Sequence, residues 1–109
     1  MAGEVEILAT ELIVELDRVL TAIDGGTVFR VMDGGDCAFV LGPEAVCGKV
    51  FGLYGEEYGW PTPLSRTSIR ATDDLRPQRR SHACVMDGSR TLAIVVSPDE
   101  YEAILRLRT

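Results

Sequence analysis

The chain has 109 residues, with 11 Lys plus Arg against 17 Asp plus Glu, a formal charge of −6 and 46% hydrophobic side chains. That length fits one domain or two very small units sharing a core, and the apolar content excludes wholesale disorder. No run approaches the ~20 apolar residues of a membrane span, the acidic start MAGEVEILATE does not read as a secretory leader, and three cysteines, an odd number, read as reduced thiols, so the expected location is cytoplasmic.

Val5-Glu6-Ile7-Leu8 reads as a short strand. From Thr10 the apolar residues Leu12, Ile13, Leu16, Val19, Leu20 and Ile23 fall on one stripe of a helix, with Thr10 as its expected cap and Asp24-Gly25-Gly26 as its stop. Thr27–Met32 and Cys37–Leu41 flank Asp33-Gly34-Gly35-Asp36, a hairpin signal. Gly42-Pro43-Glu44 restarts a helix with Pro43 expected at its first position, and glycines at 48, 52, 55 and 59 predict that it is short or frayed. Trp60-Pro61-Thr62-Pro63 reads as an extended connector. Ser81–Met86 and Leu92–Val96 then flank the turn Asp87-Gly88-Ser89-Arg90, and Ser97-Pro98-Asp99-Glu100 forms a capping box for a last helix.

The same grammar occurs twice. Val31-Met32-Asp33-Gly34 recurs as Val85-Met86-Asp87-Gly88 at an offset of 54, and Ala38–Glu44 resembles Ala93–Asp99 at 55. Ile7-Leu8-Ala9-Thr10-Glu11 resembles Ile69-Arg70-Ala71-Thr72-Asp73 at 62, which implies a loss of about eight residues from the second copy. Asp-Gly turns and Pro-led helix starts are common enough to produce such matches separately. The expected division is a first unit over 1–59, a connector over 60–68 and a shortened second unit over 69–109. Units this small bury little apolar surface alone, so they are expected to pack on each other as a pseudo-dimer.

Charge divides along the same line. Residues 1–60 hold three basic and eleven acidic side chains, and residues 61–109 hold eight arginines and six acids. The −6 is therefore the sum of −8 and +2, and it does not exclude a polyanionic partner.

The residues Ile7 to Glu44, with Ala9-Thr10-Glu11 and Leu16-Asp17-Arg18-Val19, and then Ile69 to Arg76 and Gly88 to Tyr101, cover about two thirds of the chain and resemble the Phd/YefM antitoxins; Ala93–Tyr101 is the nearest single match. The resemblance implies an α+β fold of two strand-helix-hairpin-helix units, forming a homodimer or an intrachain pseudo-dimer. It implies an antitoxin that neutralises a cognate protein toxin and represses its own operon by binding operator DNA, with no enzymatic activity, cofactor or metal. In that family basic residues near the first strand and helix bind DNA, and a C-terminal segment wraps the toxin. This chain departs twice, since its first copy is acidic and its sequence ends at Thr109, just after the last helix. The alternative is an acidic protein-binding inhibitor, or immunity-type protein, that does not touch DNA.

Arg66, Arg70, Arg76, Arg79 and Arg80 match the family's basic region, and arginine forks suit phosphate and guanine contacts. Their other reading is a face paired with the acidic first half. Phe51, Tyr54, Tyr58 and Trp60 form an aromatic patch suited to a protein partner, or they close the core between the copies. Cys37, Cys47, Cys84 and His82 lack metal-site spacing, and Cys37 aligns with the core position Leu92. His82 and Cys84 share a strand face, but no orienting acid is apparent in the sequence, so a thiolate nucleophile is not expected.

Overall fold

A computed structural model describes residues 3–59, 61–76 and 82–107. The β-rich runs at 27–41 and 82–96 form two antiparallel hairpins, β2 (Val28–Asp33) with β3 (Asp36–Gly42) and β5 (Ala83–Asp87) with β6 (Arg90–Val96). Gly34 and Gly88 turn them at φ of 64° and 61°, conformations that side chains with a Cβ rarely adopt. Each hairpin gains a parallel strand on its outer side, β1 (Glu4–Leu8) beside β2 and β4 (Thr62–Ser65) beside β5. The two hairpins meet at β3 and β6, giving one six-stranded mixed sheet in the order β1-β2-β3-β6-β5-β4.

Among the described residues five α-helices cover the sheet. On one face, α1 (Ala9–Leu12) and α2 (Leu16–Asp24) bury Leu12, Leu16, Val19 and Ile23 against Phe39, Leu41 and Val95. On the other, α3 (Glu44–Cys47), α4 (Val50–Tyr58) and α5 (Pro98–Arg106) bury Cys47, Val50, Tyr101 and Ile104 against Val40, Ile94 and Val96. After β3 the chain crosses to pack α3 on β6, and after β6 it crosses to pack α5 on β3, so each half closes the core of the other.

The pairing reads the same from either edge. Phe29 faces Leu41 as Ala83 faces Val95, and both hairpins carry a bulge at the matching place, Val31/Met32 and Val85/Met86. In the central pairing Leu41 faces Val95, flanked by Val40 opposite Val96 and Gly42 opposite Ile94. One offset of 54 maps this whole arrangement onto itself, with the Leu41–Val95 pair at its centre.

Several sequence expectations need correction. The offset of 55 for the second strands is one too many, because helix starts align by cap and not by proline: Pro43 is the N-cap of α3, while Ser97 is the N-cap of α5 and Pro98 follows it. Cys37 therefore corresponds to Thr91 and not to Leu92. The stretch read as a connector contains β4, where the edge position tolerates Pro63. Register places Thr62 opposite Ala83 as Val5 lies opposite Phe29, so the first strands match at 57. Ile69–Asp73 is not a strand, for 3₁₀ turns occupy Arg66–Ser68 and Thr72–Leu75. With the first strands at 57 and the hairpins at 54, the second half is three residues shorter between them and not eight.

The expected single helix after Thr10 is divided. Leu8 is the N-cap of α1, Thr10 lies within it, and the path tightens where Leu16 N–H bonds the Ile13 carbonyl at 3.4 Å. The capping box is present: Ser97 Oγ accepts from Glu100 N–H at 3.2 Å and Glu100 Oε1 accepts from Ser97 N–H at 2.8 Å. The second helix breaks at Gly48–Lys49, as its glycines predict, but α4 continues through Gly52 and Gly55.

A core shared in this way has to unfold as one unit. Leu41→Ala, at a fully buried site in the central pair, should cost about 2–5 kcal/mol. In urea, far-UV circular dichroism and tryptophan fluorescence should still follow one coincident transition. Two separable transitions would contradict the shared core.

Candidate functional site

Phe51, Tyr54 and Tyr58 stand at spacings that place them on one face of α4. That face lies on His82, just before β5, whose ring is fully buried. The His82 centroid is 4.6 Å from that of Tyr58, 5.6 Å from Phe51 and 6.1 Å from Tyr54, and the two tyrosines stack at 5.3 Å. On its other side His82 Nε2 lies 3.2 Å from Glu100 Oε2, while Nδ1 has no hydrogen-bond partner among the described residues. Glu100 is itself buried and holds the cap of α5 through its second oxygen. The Tyr58 hydroxyl is shifted up by burial and then by the neighbouring Glu100 carboxylate.

Of the two roles read from the sequence for this patch, the packing shows the closing of the core between the halves. Its inner edges close over His82 and join the two halves, while Phe51, Tyr54 and Tyr58 remain partly accessible beside the exposed Leu53. Trp60 lies outside the described residues. The centre of the cluster, His82 with Glu100, was not among the predicted site residues. Its only local signal is the capping box that buries Glu100, and nothing in the spacing brings a residue 18 positions away onto it.

Arg66, Arg76 and Arg90 lie against the acidic half. Arg66 Nε donates to Asp17 Oδ1 on α2 at 3.1 Å. Arg76 donates to Asp73 at 3.2 Å and to Asp33, in the first turn, at 3.3 Å, with its guanidinium 6.0 Å from the centre of the Phe39 ring. Arg90 reaches Asp24 at 3.0 Å. Each is a solvent-facing pair of the kind that contributes about 0–1 kcal/mol and exchanges readily with other ions. The Arg70 side chain is exposed, and its backbone N–H, with that of Ala71, donates to Asp74 Oδ2 at 2.9 and 3.0 Å. Those two amides hold the Asp74 carboxyl below the ordinary aspartate range. The order that Asp74 gives this turn is therefore present above the usual carboxyl pKa and lost as pH falls through the lowered value. Arg79 and Arg80 lie outside the described residues.

A second polar cluster ties the first edge strand to α5. Arg30 Nε donates to Glu4 Oε1 at 2.7 Å and a terminal nitrogen donates to Glu102 at 3.3 Å, while the Tyr101 hydroxyl donates to Glu4 Oε2 at 2.8 Å. The Arg30 guanidinium lies 5.0 Å from the centre of the Tyr101 ring.

All three cysteines are free thiols, and among the described residues no three His, Cys, Asp or Glu side chains gather to hold a metal. Burial pushes the Cys47 thiol up to about 12, raises Cys84 with help from Glu44, and raises Cys37 against the opposing pull of Arg30. At pH 8 the Cys47 thiol is thereby ionised to about one part in ten thousand. No helix among the described residues is long and apolar enough to cross a membrane.

Thiol labelling at pH 8, read by mass spectrometry of peptides, should therefore modify the half-exposed Cys37 first and leave Cys47 unmodified until denaturant is added. Early labelling of Cys47 would contradict the packing of α3. Searches among protein families, curated proteins and solved structures found no match to this chain.

Proposed function

We propose that the chain is an antitoxin-type protein in which two Phd/YefM-like units are fused as an intrachain pseudo-dimer. It neutralises a partner protein through the aromatic face of α4 and binds DNA through the arginine segment of the second half. The observation that supports this reading is the strand order β1-β2-β3-β6-β5-β4, in which one offset of 54 relates the two hairpins and each hairpin carries a parallel edge strand and is followed by a helix. A dimeric regulator fused head to tail has this form. Phe51, Tyr54 and Tyr58 supply partly exposed aromatic anchors on a helix, the residue type that dominates protein interfaces.

On DNA, Arg70 is the cation best placed to act, and Arg66 and Arg76 would exchange their aspartates for phosphates. The reading requires no catalytic step. A specific observation favours the alternative of an acidic inhibitor without DNA binding: Arg66 and Arg76 are already paired with Asp17, Asp33 and Asp73.

Electrophoretic mobility shift on the DNA upstream of the protein's own gene separates the two. The first reading predicts a shifted band whose log K falls with log salt at a slope of roughly −3 to −4. Arg70→Ala combined with Arg76→Ala should weaken that band at least tenfold and leave neutralisation of the partner intact. Tyr54→Ala with Tyr58→Ala should do the reverse. Absence of any band at low salt, with neutralisation retained, would overturn the DNA assignment and establish the alternative.

A further inference from the structure

Because one offset relates the two hairpins, each place in one half has a counterpart in the other, and one pair of counterparts differs in chemistry. In the first half Arg30 fills the space between β1, β2 and α5, held by Glu4 and Glu102 and lying over the Tyr101 ring. In the second half the register replaces Arg30 with Cys84, and Glu4 and Glu6 with Pro61 and Pro63. The helix position four residues after the N-cap, Tyr101 in α5, is Cys47 in α3, and Glu102 becomes Gly48. Every large or charged member of the first cluster is thus small or apolar in the second. Three of these replacements, Pro61, Pro63 and Cys84, line a cavity of about 360 Å³ together with Glu44, Phe51 and Ile94.

We propose that this cavity binds an arginine side chain of a partner protein. The first half shows how such a side chain sits: its guanidinium lies over an aromatic ring and carboxylates take its N–H groups. In the second half the prolines and Ile94 meet the methylenes, Phe51 supplies the ring, and Glu44 supplies the carboxylate. No ion pair to Glu44 forms among the described residues, so that carboxylate is available to an incoming cation. A planar guanidinium that stacks and pairs at once fits better than the compact ammonium of lysine. The volume falls within the ~300–1,000 Å³ usual for ligand sites. The acidic first half, net −8, steers a basic partner toward the same molecule. Only the assignment of the arginine to a partner protein rests on the proposed function; the site stands on the lining of the cavity, in which Phe51 and Glu44 supply a ring and a carboxylate from α4 and α3.

The test is a titration of the full chain, labelled at methionine and isoleucine methyls, with N-acetyl-arginine-N-methylamide. The neutral citrulline analogue is the control. The arginine probe should shift Met86 and Ile94 saturably, with a dissociation constant of roughly 1–10 mM as befits a single side chain. Citrulline should bind at least tenfold more weakly, and Glu44→Gln should lower the affinity for arginine by a similar factor. Because Glu44 is exposed on the first turn of α3, that variant keeps the fold, which the unchanged Val31 and Val85 amide shifts will verify. Absence of saturable shifts at Met86 and Ile94, equal binding of citrulline, or an unchanged response in Glu44→Gln would each overturn the proposal. The titration uses neither toxin nor DNA, so its outcome is separate from that of the mobility shift.

Discussion

The antiparallel pairing of β3 with β6 is the constraint on which the other features depend. It joins two three-stranded sheets that are each too small to bury a core, and it aims α3 and α5 across the joint so that each covers the opposite half. Leu41 and Val95, facing each other at the centre, are both fully buried. Without this pairing β3 and β6 would be exposed edges with unpaired backbone groups, open to uncontrolled association. Within it, the sheet has only β1 and β4 as edges, and the latter carries a proline that removes a donor. The aromatic face of α4 reaches His82 for the same reason, since the crossing after β3 delivers that helix to the second half.

Symmetry in the backbone is accompanied by asymmetry in the side chains. The first half is acidic and keeps a regular helix pair on its outer face; the second carries the arginines and replaces that pair with 3₁₀ turns. The surfaces meet as complements, with Asp17, Asp24 and Asp33 opposite Arg66, Arg90 and Arg76. Individually such pairs are weak, but three of opposite sense along one seam favour this arrangement of the halves over others. Two identical subunits could not separate charge in this manner.

What the sequence revealed was what local rules control. Asp-Gly turns marked both hairpins because few residues adopt their backbone angles, and Ser97 with Glu100 marked the start of α5 because a capping box is a contact within four residues. Phe51, Tyr54 and Tyr58 were legible as an aromatic patch but not as one helix face, because the glycines at 52 and 55 predict fraying where α4 continues. Strand β4 was hidden because prolines at 61 and 63 argue against a sheet unless the strand is known to be an edge. The one-residue error in the second strands came from matching prolines, whereas the fold matches caps. The partners of Arg66 and His82 lie 49 and 18 positions away, and contacts set by crossing helices leave no local trace. The cavity could not be seen in advance, because its lining comes from both halves, whose register was unknown.

Native-state hydrogen exchange tests the central claim most directly. If the β3–β6 pairing makes the two halves one cooperative body, the amides at the heart of both hairpins, Val31 with Phe39 and Val85 with Ala93, should exchange only through global unfolding. Their opening free energies should coincide with each other and with that of the central pair. A second half that opens at a distinctly lower free energy, while the first stays closed, would contradict the account and separate the chain into two independent domains.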